Sequence, residues 1–124
     1  MSPLAWIAFV TAGAMGAPLR YLVDGAIQDR TEGAFPWGTF LVNVSGSLLL
    51  GFLTGLALYH AFPDTPRIIL GTGFCGAYTT FSTFGFETLR LLEEGATAEA
   101  FRNALGTLIT CAAAAAAGIA LAAL

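Results

Sequence analysis

From Ile68 to Phe86 the chain carries no charge, and that run is long enough to cross a bilayer. Its core, residues 71–86, reads GTGFCGAYTTFSTFGF. Three glycines fall in the first six positions, and four hydroxyl residues then alternate with two phenylalanines. Glycines and threonines clustered mid-span predict a helix that breaks inside the membrane. Broken backbone survives at that depth only where it is packed in protein or lines a cavity. The stretch therefore points to an ion or substrate site near the middle of the bilayer.

The rest of the chain agrees with a membrane setting. It is 56% hydrophobic and 10% charged over 124 residues, with a mean hydropathy of +0.76, and a soluble domain of this size needs far more polar surface. Four apolar stretches can be drawn, at roughly 4–23, 38–61, 67–92 and 97–123. They predict one domain, 1–124, built as an all-α bundle of four transmembrane helices. No Lys or Arg precedes the first stretch, which is read as a retained span rather than a leader. An even number of spans places both termini on one side. Arg20, Arg30, Arg90 and Arg102 flank the first and third loops, against Arg67 at the second. With Arg20 and Arg90 counted inside spans, the bias is small. The net charge of −3 leaves no basic patch for nucleic acid. No nucleophile–base pair or metal-ligand spacing is visible, so no enzymatic activity is expected. Cys75 and Cys111 fall within spans and read as packing residues, not as a disulfide.

Individual residues admit two readings each. Arg20 is either an interfacial anchor beside Tyr21 or the mouth of an aqueous vestibule that gathers anions, and Asp24 is placed to pair with it. Thr39, Asn43, Ser47, Gly51 and Gly55 recur every fourth residue and so share one helix face. Ser47 and the two glycines suit close helix packing. The Asn43 amide either bonds a neighbouring helix or donates to a permeating anion. Phe81 and Phe84 share a face; they either pack or present their positive ring edges to a small anion. Ser82 and Thr83 lie between them, and each is placed either to bond back to its own helix or to border the ion path. Glu87 and Arg90 are expected to pair near the end of the span, and His60 to be solvated. On the last span Asn103, Thr107 and Cys111 form a row with Thr110 beside it.

Three segments carry a resemblance. Gly76, Thr79, Thr80, Phe81, Ser82, Thr83 and Phe84 are similar to the GxxTTFSTF signature of the Fluc (CrcB) family of fluoride channels. Gly16-Ala17-Pro18-Leu19-Arg20-Tyr21 resembles its GAxxRY element, and Gly38-Thr39-Phe40-Leu41-Val42-Asn43-Val44-Ser45-Gly46 its GTxxVNxxG element. The match is strong over residues 13–90 and thin over the last span. The resemblance implies an antiparallel, dual-topology homodimer in the bacterial inner membrane. Such a dimer exports F⁻ passively and so relieves fluoride toxicity. It implies an anion pathway along Asn43, Phe81 and Phe84, with Ser82, Thr83, Thr39 and Thr107 as further lining residues and Arg20 in the vestibule. It also implies a structural, untransported Na⁺ at the dimer interface, held by the backbone carbonyls of Gly76 and Thr79.

Two other functions fit the composition. A small dual-topology multidrug-type transporter would need a membrane-embedded acid to couple protons, and no Asp or Glu falls at mid-span. A structural subunit of a larger membrane complex would explain the glycine row but not TTFSTF.

Overall fold

The computed structural model describes all residues from Met1 to Leu124, and every regular element in it is helical. Helix α1 runs Pro3–Gln28, begun by the Ser2 side chain accepting the Ala5 amide at 3.1 Å and by proline at the first turn. Helix α2 runs Trp37–His60 and ends where Ala61 turns left-handed at φ 52°. The third segment, α3, covers residues 64–78. It starts α-helical at Asp64–Ile68, widens into a π-helix over Ile69–Cys75, and closes with one α-turn, Gly76–Tyr78. Thr79 and Thr80 are extended, after which α4 spans Phe81–Glu93 and α5 spans Thr97–Ala122.

Helices α1, α2 and α5 are each long and apolar enough to cross a membrane. At about 1.5 Å per residue, their 24 to 26 residues exceed the thickness of a hydrocarbon core. The third predicted span has no single helix of that length, because its backbone is interrupted at Thr79–Thr80. The observed bounds fall within a few residues of the predicted stretches, except that α1 continues to Gln28.

Helices α2 and α5 form the tightest seam. A Cβ on Gly118 would meet the Leu48 carbonyl, and the Phe52 amide at 2.6 Å, while one on Gly51 would strike the Ala115 backbone. With both positions bare, the two backbones approach as small-residue interfaces allow in lipid. Gly55 lies against Ile119 and Ala122, so the predicted packing face continues to the helix end. There the His60 ring bonds the Ala122 carbonyl at 2.7 Å. That bond corrects the expectation of a merely solvated histidine.

On the other side, α1 packs on α3. A Cβ at Gly16 would lie 2.6 Å from the Phe74 carbonyl and 3.1 Å from the Tyr78 amide. Large apolar side chains such as Leu4, Ile7, Val10, Leu105, Leu108 and Ile109 point outward, as they would toward lipid. Phe35, Trp37 and Phe40 form an edge-to-face cluster at the start of α2, with Trp37 and Phe40 5.6 Å apart at 89°.

Candidate functional site

The site is built around two residues of extended backbone. Thr79 (φ −77°, ψ 161°) and Thr80 (φ −146°, ψ 122°) are β-branched and accept that conformation readily. An interruption among apolar helices leaves peptide groups without helical partners, and each has to be satisfied another way. The neighbouring helices do this with side chains. Asn43 on α2 accepts the Thr80 amide on Oδ1 at 2.8 Å and donates through Nδ2 to the Thr80 carbonyl at 2.9 Å. Arg20 on α1 donates from Nη1 to the Thr79 carbonyl at 3.1 Å.

The hydroxyls complete the arrangement. Thr79 donates to the Cys75 carbonyl at 2.8 Å. Thr80 caps α4, accepting the Thr83 amide at 3.1 Å and donating to the Thr83 hydroxyl at 3.1 Å. Tyr78 and Ser45 share a hydrogen bond of 3.0 Å, which ties the last turn of α3 to α2.

These bonds revise two sequence expectations. Asn43 holds backbone with its carbonyl oxygen and one N–H, so only its second N–H is left for another acceptor. Arg20 does not pair with Asp24, whose carboxylate accepts from Gln28 at 2.9 Å instead. A third expectation also changes. Arg90 bonds Glu94 at 3.0 Å, and Glu87 instead accepts the Thr39 hydroxyl.

An open groove of about 670 Å³ runs along the break. Asn43, Gly76, Thr79, Thr80, Phe81, Phe84 and Thr107 all line it, and none of its lining residues is acidic or basic. Phe81 is 84% exposed at the start of α4, and its ring centroid lies 5.9 Å from that of Phe84 at 44°. Their predicted common face is therefore present, and it looks outward into the groove.

The remaining predicted residues sit elsewhere. Arg20, Thr39 and Thr83 line a smaller cavity of about 230 Å³, which shares Thr80 with the groove. Ser82 is exposed and lines neither. Asp24 lines both the small cavity and, with Glu87, Arg90 and Glu94, a polar recess of about 420 Å³ that includes Thr83. The sequence reading missed Glu87 as part of this region, and it missed Thr88, whose hydroxyl meets Asn103 instead. A residue one turn beyond a motif, aimed at another helix, leaves no local pattern to find.

No three His, Cys, Asp or Glu side chains are grouped to hold a metal ion. A cation here would rely on backbone oxygens. The Thr80 amide, which a continuous helix would direct to the Gly76 carbonyl, is taken by Asn43. Nothing lies within 4 Å of the Cβ position of Gly76, which borders the open groove. The Thr79 carbonyl has one lone pair engaged by Arg20 and a second free of that bond.

Comparison with known proteins places the chain among close relatives. A family model described as "CrcB-like protein, Camphor Resistance (CrcB)" matches residues 7–119. A protein of Frankia casuarinae named fluoride-specific ion channel FluC 1 is 48% identical over 122 residues, covering 94% of this chain and 95% of the relative. A protein of the same name from Streptomyces avermitilis is 46% identical over 114 residues, covering 92% of each. One from Mycobacterium bovis, named fluoride-specific ion channel FluC 2, is 44% identical over 104 residues, covering 84% of this chain and 79% of the relative.

Proposed function

The chain belongs to the CrcB family, and we propose on that premise that it is a fluoride-selective channel through which accumulated F⁻ leaves the cell passively. It is a multi-pass integral membrane protein of the bacterial cell membrane, and it is a channel rather than an enzyme. One observation carries the reading from this chain's own geometry: an uncharged groove in which two phenyl rings and the amide of Asn43 line a stretch of opened backbone.

Fluoride gives up its water only where donors replace it, and the groove offers those without a fixed charge that would trap the ion. Ring edges carry partial positive charge and bring no competing acceptor. Phe81 and Phe84 form the narrow passage, with the free N–H of Asn43 beside them. The small cavity holding Arg20, Asp24, Thr39 and Thr83 is the vestibule, where the guanidinium offers an anion positive charge while it holds Thr79, partly offset by the Asp24 carboxylate. A proton-coupled transporter would need an ionisable group in the groove, and the lining has no carboxylate.

Two copies complete the channel. A groove lined by Asn43, Thr79 and Thr80 cannot face lipid without leaving the second Asn43 N–H unsatisfied. A second copy, inverted to form a dual-topology homodimer, covers it and places the break of α3–α4 at mid-membrane. The single domain 1–124 is then one half of the working unit. A Na⁺ at the dimer interface fits the backbone oxygens of Gly76 and Thr79; it supplies fixed positive charge that offsets the approach of an anion.

Reconstituted liposomes loaded with fluoride or chloride test the function. Rapid F⁻ efflux with negligible Cl⁻ efflux is expected, read with ion-selective electrodes. Phe81→Ile and Phe84→Ile should each cut F⁻ efflux at least about tenfold while the protein stays assembled. No F⁻ flux from well-folded wild-type protein would overturn the reading, and full flux in both variants would remove the aromatic role.

A further inference from the structure

We propose that Asn103 and Thr88 are positioning residues that hold Phe84 at its place in the pathway, an inference that rests on the channel reading above. Asn103 is only 1% exposed, although it carries an amide and stands on a helix long and apolar enough to cross a membrane. Its Nδ2 donates to the Thr88 hydroxyl oxygen at 2.8 Å, and Thr88 donates its own proton to the Phe84 carbonyl at 2.8 Å. Its Oδ1 accepts the Thr107 hydroxyl proton at 3.2 Å.

The bonds have a direction. An amide nitrogen only donates and an amide oxygen only accepts, so the chain runs one way, from Thr107 through Asn103 and Thr88 to the backbone of Phe84. Buried networks of this kind are costly to break, because each partner left behind stays desolvated.

Two consequences follow for the pathway. The first concerns Thr107. Its single proton is engaged with Asn103, so its oxygen turns lone pairs, not a donor, toward the groove. Thr107 then serves the anion through Asn103 and Phe84 and does not ligate it.

The second concerns α4, whose N-terminal end follows two residues of extended chain and whose Phe81 is almost wholly exposed. That end is fixed by the Thr80 cap, and about two turns further on by the Thr88–Asn103 bond to α5. Without the second fastening α4 can slide or rotate on α5, and the Phe84 ring moves with it. A passage that selects by ring-edge placement loses discrimination from small shifts, so the network sets selectivity as well as rate.

The test uses full-length protein in liposomes, with F⁻ and Cl⁻ efflux measured per assembled channel. Thr88→Val keeps the shape and removes the hydroxyl; Asn103→Leu keeps the volume and removes the amide. Thr88→Ser restores the hydroxyl. Thr88→Val and Asn103→Leu should lower F⁻ efflux by about tenfold and narrow the F⁻/Cl⁻ ratio, with Thr88→Ser within about twofold of wild type. A role in folding alone would reduce the yield of assembled protein and leave flux and ratio per channel untouched; that outcome overturns the proposal. If Asn103→Leu does not assemble, Thr88→Val and Thr88→Ser decide by themselves. Wild-type protein measured alongside separates the two failures. Absent F⁻ flux in wild type defeats the channel reading, whereas wild-type flux with unchanged variants defeats the positioning role only.

Discussion

Asn43 commits both ends of its amide to the single residue Thr80. It replaces two bonds that a continuous helix would have made along the backbone, and it does so from another helix. Removing it strands a peptide N–H and a C=O together. Asn43→Leu should therefore destabilise the fold by about 1–3 kcal/mol for each buried group left unpaired, read as a lower thermal midpoint in detergent. Asn43→Asp is the sharper variant. It retains the acceptor for the Thr80 amide but, when ionised, sets a carboxylate against the Thr80 carbonyl, so F⁻ efflux should fall further than stability. The sequence made Asn43 conspicuous, as an amide in hydrocarbon, yet left open whether its partner was a helix or an ion. Only the geometry shows that one N–H serves backbone and one stays free. Arg20 illustrates the same limit. An i, i+4 partner was available at Asp24, but the opened backbone of Thr79 lay closer to the guanidinium. Pairings between distant segments have no signature in spacing.

At the scale of whole helices, the seam between α2 and α5 and the interruption between α3 and α4 do opposite things. The seam is close and regular because Gly51, Gly55 and Gly118 have no side chain to separate the backbones. Gly118→Leu would drive its Cβ toward the Leu48 carbonyl and the Phe52 amide, neither of which can step aside. Overpacking of this kind costs about 1–3 kcal/mol or more, and the folded, monodisperse fraction on size exclusion should drop accordingly. The four-residue glycine rhythm marked this face of α2 as a packing surface, though not α5 as its partner. The interruption was legible in position, because Thr79 and Thr80 separate a glycine-rich run from an aromatic one. The π-helical stretch before it was not. Its glycines permit a wider turn without requiring one, and the contacts of Gly16 with the Phe74–Tyr78 backbone and of Gly73 with that of Phe9 join segments far apart in sequence. Glu87 and Arg90 show how little i, i+3 spacing decides when an i, i+4 partner, Glu94, is present on the same helix.

For the molecule as a whole, the proposed dimer joins the groove of one copy to that of another around the oxygens of Gly76 and Thr79. An ion bound only by the assembled form stabilises it by mass action, by about 2.7 kcal/mol at a hundredfold excess over its dissociation constant. Exchanging Na⁺ for N-methylglucamine at constant ionic strength should thus lower the thermal midpoint of the purified protein. An unchanged midpoint would remove the cation from the interface without touching the fluoride reading, since the efflux assay stands apart from it.

The side chains that satisfy the unwound threonines, Arg20 and Asn43, belong to the same chain as the break. The peptide groups at the break are therefore paired within one chain, before any second copy meets it. Formation of the proposed dimer then becomes a matter of encounter rather than of refolding.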